Sequence, residues 1–143
     1  MFTEKFIAES VLPEIKSTGG ATVLVSPYGM PPAILRMDKY QPPTWVVALG
    51  ACPVDVPLDG LEANELTILA NLVLDSFHRN AWSAVGFWAF EGRLYVEPVE
   101  TFTSHEMAVQ AAKDCDQIAI YAMHTGETEF LVPEHNYVVG ADS

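Results

Sequence analysis

Residues 85–99 constrain the fold more than any other stretch, because two β-prone runs, VGFWAF and RLYVEPV, are joined by only Glu91-Gly92. A two-residue connection matches the twist of its strands only in turns that need positive φ, so Glu-Gly between such runs specifies an antiparallel hairpin. Side-chain alternation then puts Tyr95 and Glu97 on one face and Val96 on the other. Pro98 predicts that the second strand ends there or runs along an edge. A lone hairpin is not stable in water, so the rest of the chain must supply more strands and a helical layer.

It has the material to do so. Residues 3–17 read as a helix with Thr3 as N-cap, with Phe6, Ile7, Val11 and Leu12 near one face and Gly19-Gly20 as its stop, although Pro13 opposes a continuous helix. Apolar runs at 21–26, 33–37 and 45–49, separated by the proline clusters at 27–32 and 41–43, predict three strands in an antiparallel meander. Residues 50–60 read as a loop. The clearest helix follows over 61–78, with Asp59 as cap and Glu62 in capping-box spacing. Its apolar stripe, Leu61, Leu66, Leu69, Ala70, Val73 and Phe77, is widened by Ile68, Leu72 and Leu74. A helix apolar over so much of its circumference predicts cover on a second side, so residues 61–78 are a candidate homodimer face. Thr103-Ser104-His105-Glu106 predicts the capping box of a short helix ending near Lys113, with Met107, Ala108, Ala111 and Ala112 as its apolar face. Residues 118–123 and 128–132 read as a second hairpin, and 133–143 as a peripheral tail. The order predicts an α+β fold: a single domain over 1–143, mainly an antiparallel curved sheet of about seven strands, with two or three helices mostly on one face.

Composition narrows the function classes. One core is what 143 residues can fill, and 50% hydrophobic content excludes global disorder. With 19 acids against 7 bases the net charge is -12, which disfavours direct binding to nucleic acid or to an anionic membrane. Residues 1–60 carry six acids and four bases, whereas 61–143 carry thirteen and three, so an electrostatic role belongs to the later part. No run reaches the roughly 18 apolar residues of a membrane span, and Glu4, Lys5 and Glu9 replace a signal peptide's pattern, so a cytoplasmic protein is expected. Cys52 and Cys115 form no CxxC pair and are read as reduced core side chains.

Motifs for chemistry are sparse. His78, His105, His124 and His135 occupy different elements without metal-ligand spacing, although folding could bring His124 and His135 to Glu129 or Glu134. Cys115 lies between Asp114 and Asp116, which disfavour its thiolate. No GxSxG, P-loop or GxGxxG occurs, and no cofactor or metal is implied. Glu97 has two readings: a solvent-facing carboxylate, or one surrounded by Trp88, Phe90 and Tyr95 with a raised pKa. The aromatics Trp82, Phe87, Trp88, Phe90, Tyr95 and Phe102 fall within 21 residues, more than one core face needs, which points to a contact patch including Trp88 and Tyr95.

An aromatic strand, a Gly turn, Leu94-Tyr95-Val96-Glu97, Ser104 opening a helix with Ala108 and Ala112, then DQIAIY at 116–121 and Thr125-Gly126-Glu127 make up a hairpin-helix-hairpin module over 87–131. This module resembles small accessory proteins of bacteriophages and plasmids. The resemblance implies a mobile-element protein directed at host machinery, and it carries over no catalytic residue. Together these readings lead to a non-catalytic acidic protein, an inhibitor of host defence that imitates DNA and contacts a basic, nucleic-acid-binding host protein. Glu97, Glu100, Asp114, Asp116, Glu127 and Glu129 are its candidate acidic face. The alternatives are a small-molecule or nucleotide-processing enzyme with a pocket beside 50–60, and a structural or assembly dimer.

Overall fold

The computed structural model describes residues 1–26, 28–37, 41–49, 54–77 and 83–131. The fold is α+β, and its strand pairings are antiparallel. The chain divides into two compact units, Met1–Arg36 with Ala51–Val99, and Met37–Gly50 with Glu100–Ser143.

The first unit is built on the predicted hairpin. Strands β5 (Ser83–Phe90) and β6 (Arg93–Phe102) pair from Phe90↔Arg93 to Ala84↔Val99, and Glu91 and Gly92 between them have φ of 51° and 80°. Strand β1 (Gly20–Val25) pairs along β5, and the short β2 (Ala33–Ile34) pairs on β1. The segment read as a loop contains a further strand, β4 (Val54–Pro57), paired with β6 from Val54↔Val96 to Pro57↔Arg93. Its two prolines disguise a V-D-V alternation in which Val54 and Val56 pack against the core and Asp55 points away. β6 also runs through Pro98 to Phe102. In the register of a two-residue hairpin Pro98 opposes Val85 at a position that exchanges no hydrogen bond with β5, and β4 pairing has already stopped at Val96.

One face of these strands buries Val23, Val25, Val85, Phe87, Leu94 and Val96. Against it packs the first helix, α-helical over Glu4–Phe6 (α1), π-helical over Ile7–Val11 and α-helical again over Leu12–Thr18 (α2). The π turn explains how Pro13 is tolerated: Leu12 donates to Ile7 O, and Pro13, which lacks an N–H, falls in the first turn of α2. The second helix on this face is α3 (Ala63–Phe77), which contributes Leu66, Ala70, Val73 and Leu74. Asp59 is not its cap. The first intrahelical bond goes from Leu66 N–H to Glu62 O, and the Glu65 carboxylate accepts from Glu62 N–H. Asn71 ties the chain start to α3, accepting from Phe2 N–H at 2.8 Å and donating to Phe2 O at 3.0 Å. The Phe2 ring is thereby held in the core against Phe6 and Phe87.

The second unit contains β3 (Trp45–Ala48), α4 (His105–Asp114), β7 (Ala119–Ala122) and β8 (Glu127–Phe130), with β7 paired to both β3 and β8. The meander therefore does not form, because β3 joins β7 and not β2. Val46 and Val47 are buried on opposite faces of β3, which an edge strand beyond the two-residue β2 would not satisfy. Ser104 caps α4 by accepting from Met107 N–H, and Ala108 and Ala112 pack on Val47 and Ile120, while Met107 is exposed. β6 has residues in both units, and the strand order is β2-β1-β5-β6-β3-β7-β8, with β4 also on β6. The 87–131 module has its elements in the expected order, divided between the units. No helix among the described residues is long and apolar enough to cross a membrane.

Candidate functional site

In the second unit the small residue Ala122 on β7 stands opposite Trp45 on β3 and Glu127 on β8. Nothing bulky blocks the Trp45 indole from crossing β7, and its Nε1–H donates to Glu129 Oε1 at 3.0 Å. The other carboxylate oxygen, Oε2, meets His105 Nε2 at 2.7 Å. His105 is the first residue of α4, so the Ser104 cap that starts the helix also sets the imidazole over the strands. The edges of two imidazoles flank the indole, with ring centroids 5.1 Å away for His105 and 4.8 Å for His124. His124 Nδ1 meets the Thr44 backbone, 3.2 Å from its N and 3.3 Å from its O.

Glu129 is thus pinned at both oxygens. The Trp45 hydrogen bond first, and the His105 hydrogen bond next, hold its carboxyl below the ordinary carboxylate range, partial burial opposing them and the two imidazoles assisting. As an ionised carboxylate, Glu129 accepts the hydrogen bond from His105 Nε2 through Oε2. The cluster is a rigid aromatic platform with a fixed anion. Among the described residues no group of three or more His, Cys, Asp or Glu could hold a metal ion.

The other predicted acids separate. Glu100, Asp114, Asp116 and Glu127 are exposed in the second unit, as is Glu106, and Lys113 is the sole Lys or Arg among that unit's described residues. Asp114 accepts from Gln110, and none of these five carboxylates forms an ion pair among the described residues. Cys115, at the C-cap of α4, is a free half-buried thiol.

Glu97 lies in the first unit and is not part of an exposed acidic face, being only 9% exposed. It shares the face of the sheet opposite α1, α2 and α3 with Trp88 and Tyr95, which oppose each other, and with Gly86, which opposes Glu97 itself. A Cβ on Gly86 would lie 3.1 Å from Trp88 Cζ3 and 2.9 Å from Val99 Cγ1, so the indole and Val99 lean over the glycine beside the carboxyl group. Burial raises the Glu97 pKa from 4.5 to about 7. No described residue hydrogen-bonds or pairs with it. Of the two sequence readings, the solvent-facing carboxylate is not what forms: the group is buried with a raised pKa, with Trp88 and Tyr95 on its face of the sheet, while Phe90 opposes Arg93 farther along.

The depression beside the 50–60 segment measures about 180 Å³ and is lined by Val56, Pro57, Asp59, Gly60, Leu61, Glu65 and Leu69. Ligand pockets usually start at about 300 Å³, and this one has neither a histidine nor a nucleophile. Cys52, His78, Trp82, Glu134, His135 and the tail 133–143 lie outside the described residues.

Trp45, His105 and His124 are the residues that sequence reasoning missed as a group. His105 lies 60 positions after Trp45, and His124 and Glu129 follow His105 by 19 and 24, so the β3–β7 pairing, which the meander expectation had excluded, is what joins them. No family model matches the chain, and no curated protein or solved structure matches it.

Proposed function

We propose that the protein is a non-catalytic, mobile-element-encoded binding protein whose second unit occupies a basic, nucleic-acid-binding surface of a host protein. The observation that carries this reading is the set of five exposed carboxylates, Glu100, Glu106, Asp114, Asp116 and Glu127, against which Lys113 is the one Lys or Arg among that unit's described residues. Unpaired surface carboxylates keep their field, which steers a basic partner into encounter and makes the association salt-sensitive. Glu129 adds a further anion fixed by Trp45 and His105, and a preorganised charge loses less side-chain entropy on docking than a free one.

The test is capture from host lysate by wild type and by a Glu100→Lys, Asp116→Lys, Glu127→Lys variant. The wild type is expected to retain a nucleic-acid-binding protein that competing DNA displaces and raised salt elutes, and the variant is expected to lose it. A partner retained equally by the variant, or unaffected by DNA and salt, overturns the reading.

A further inference from the structure

A carboxyl group that is nine-tenths buried and has no partner is costly to keep in a sheet unless something completes it. Among the described residues Glu97 is such a group, and its surroundings specify what would complete it. On the face of the first unit opposite its helices, β6 contributes Arg93, Tyr95, Glu97 and the buried Val99, β5 contributes the buried Ala84 with Gly86, Trp88 and Phe90, and β4 contributes Asp55. Among the described residues of these strands the one Lys or Arg on that face is Arg93, which is engaged by the Asp55 carboxylate through Nε and donates from Nη2 to Asp55 O. From β1, Gly20, Thr22 and Leu24 share this face, so among the described residues β1, β4 and β5 offer Glu97 no counter-charge. Trp88 is 37% exposed and Phe90 60%, which leaves aromatic surface open next to the buried carboxyl group.

We propose that this face is a binding site for one organic cation, an ammonium or guanidinium group whose charge meets Glu97 while its apolar body lies against Trp88 and Tyr95. Aromatic faces attract such cations because the ring quadrupole is negative, and the attraction grows where water is excluded. A hydrated sodium ion gains nothing from the rings, and an anion meets Asp55 and Glu97. Gly86 is the device that makes room, since any side chain there would lift the indole away from the sheet. The site is independent of the second unit's acids, so charge reversals there leave it intact.

The experiment follows the Trp88 indole N–H resonance of the full chain, assigned by its loss in Trp88→Leu. The probes are acetyl-Gly-Arg-Gly amide, its neutral citrulline counterpart, and tetramethylammonium chloride against sodium chloride at equal ionic strength. The Arg peptide or tetramethylammonium is expected to bind in the millimolar range, and the citrulline peptide and sodium are not. A response led by the Arg peptide assigns the site to a partner's side chain, and one led by tetramethylammonium assigns it to a free small cation; both support a cation site. Affinity is expected to rise about tenfold from pH 6 to pH 8, as Glu97 gives up its proton, and to fall at least tenfold in Glu97→Gln. Equal binding of the citrulline peptide overturns the proposal. So does unchanged affinity in a Glu97→Gln variant that melts no lower than wild type.

Discussion

Glu97 couples the stability of the protein to pH in a direction opposite to most carboxylates. Its folded pKa of about 7 lies above the ordinary 4.5, so between those values the folded state holds a proton that the unfolded chain has lost. Stability therefore falls as pH rises from about 4.5 to 7 and levels off above, by at most about 3 kcal/mol for a shift of this size. Glu97→Gln removes the titration. Urea unfolding is expected to give similar stabilities for the variant and wild type at pH 5, and a more stable variant at pH 8.5. A variant no more stable at pH 8.5 would show that the carboxyl group is hydrated. The sequence placed Glu97 on the same face as Tyr95, because alternation needs no tertiary information. It could not show that the group is buried, since Gly86 lets Trp88 and Val99 lean in and that depends on cross-strand register. The adjacent Gly19 and Gly20 make the same point. Both read as a helix stop, yet only Gly19, at φ 90°, has that role. Gly20 is needed because a Cβ there would meet Phe87 O at 2.8 Å. Gly20→Ala is expected to cost about 1–3 kcal/mol in thermal or urea unfolding, since backbone on the neighbouring strand has to move.

Elements were legible where their signals are local. The Glu91-Gly92 hairpin and the start of α4 are each written within a few residues; the hairpin forms as read, and α4 starts one residue later than the Thr103–Glu106 box implies, with Ser104 as its cap. Ser104→Ala is expected to lose about 1 kcal/mol by unfolding, and to loosen His105 from Glu129, because the cap sets the first turn of α4. Elements whose signals are overridden by neighbours were missed. β4 hides behind prolines that an edge strand tolerates, and β3 pairs with a strand about 75 residues later because both of its faces need cover. The first helix shows a third case, in which Pro13 is absorbed by a π turn that no periodicity announces. Its start depends on a long-range tie, the two hydrogen bonds between Asn71 and the Phe2 backbone. Asn71→Ala is expected to destabilise by about 2 kcal/mol, at roughly 1 kcal/mol for each bond lost. Hydrogen exchange checks the mechanism: amides of α1 and the π turn should lose protection while those of β5 and β6 keep it.

At the scale of the whole molecule, the charge of -12 and the apolar surface of α3 make opposing demands. The exposed carboxylates of the second unit favour a basic partner and repel a second copy of the chain. Against that repulsion, α3 offers Ile68, 62% exposed, and Leu72, 58% exposed, one helical turn apart on its outer side. A stable interface covers about 800 Å² on each partner with a well-packed apolar centre. Two aliphatic side chains supply a small part of that, and their exposed neighbours, Asn64, Glu65 and Asp75, include two acids and no base to pair across a dimer. The breadth of the apolar stripe, which in sequence pointed to a second subunit, is accounted for mainly by the core that Leu66, Ala70, Val73 and Leu74 share with the first helix and the sheet. The chain is therefore expected to sediment as a monomer of 15.7 kDa at micromolar concentration and low salt. Raised salt screens the repulsion, so any weak pairing through α3 should strengthen there and vanish in an Ile68→Ser, Leu72→Ser variant. A dimer that persists at low salt, and that the same two substitutions dissolve, would overturn this expectation and make α3 an interface.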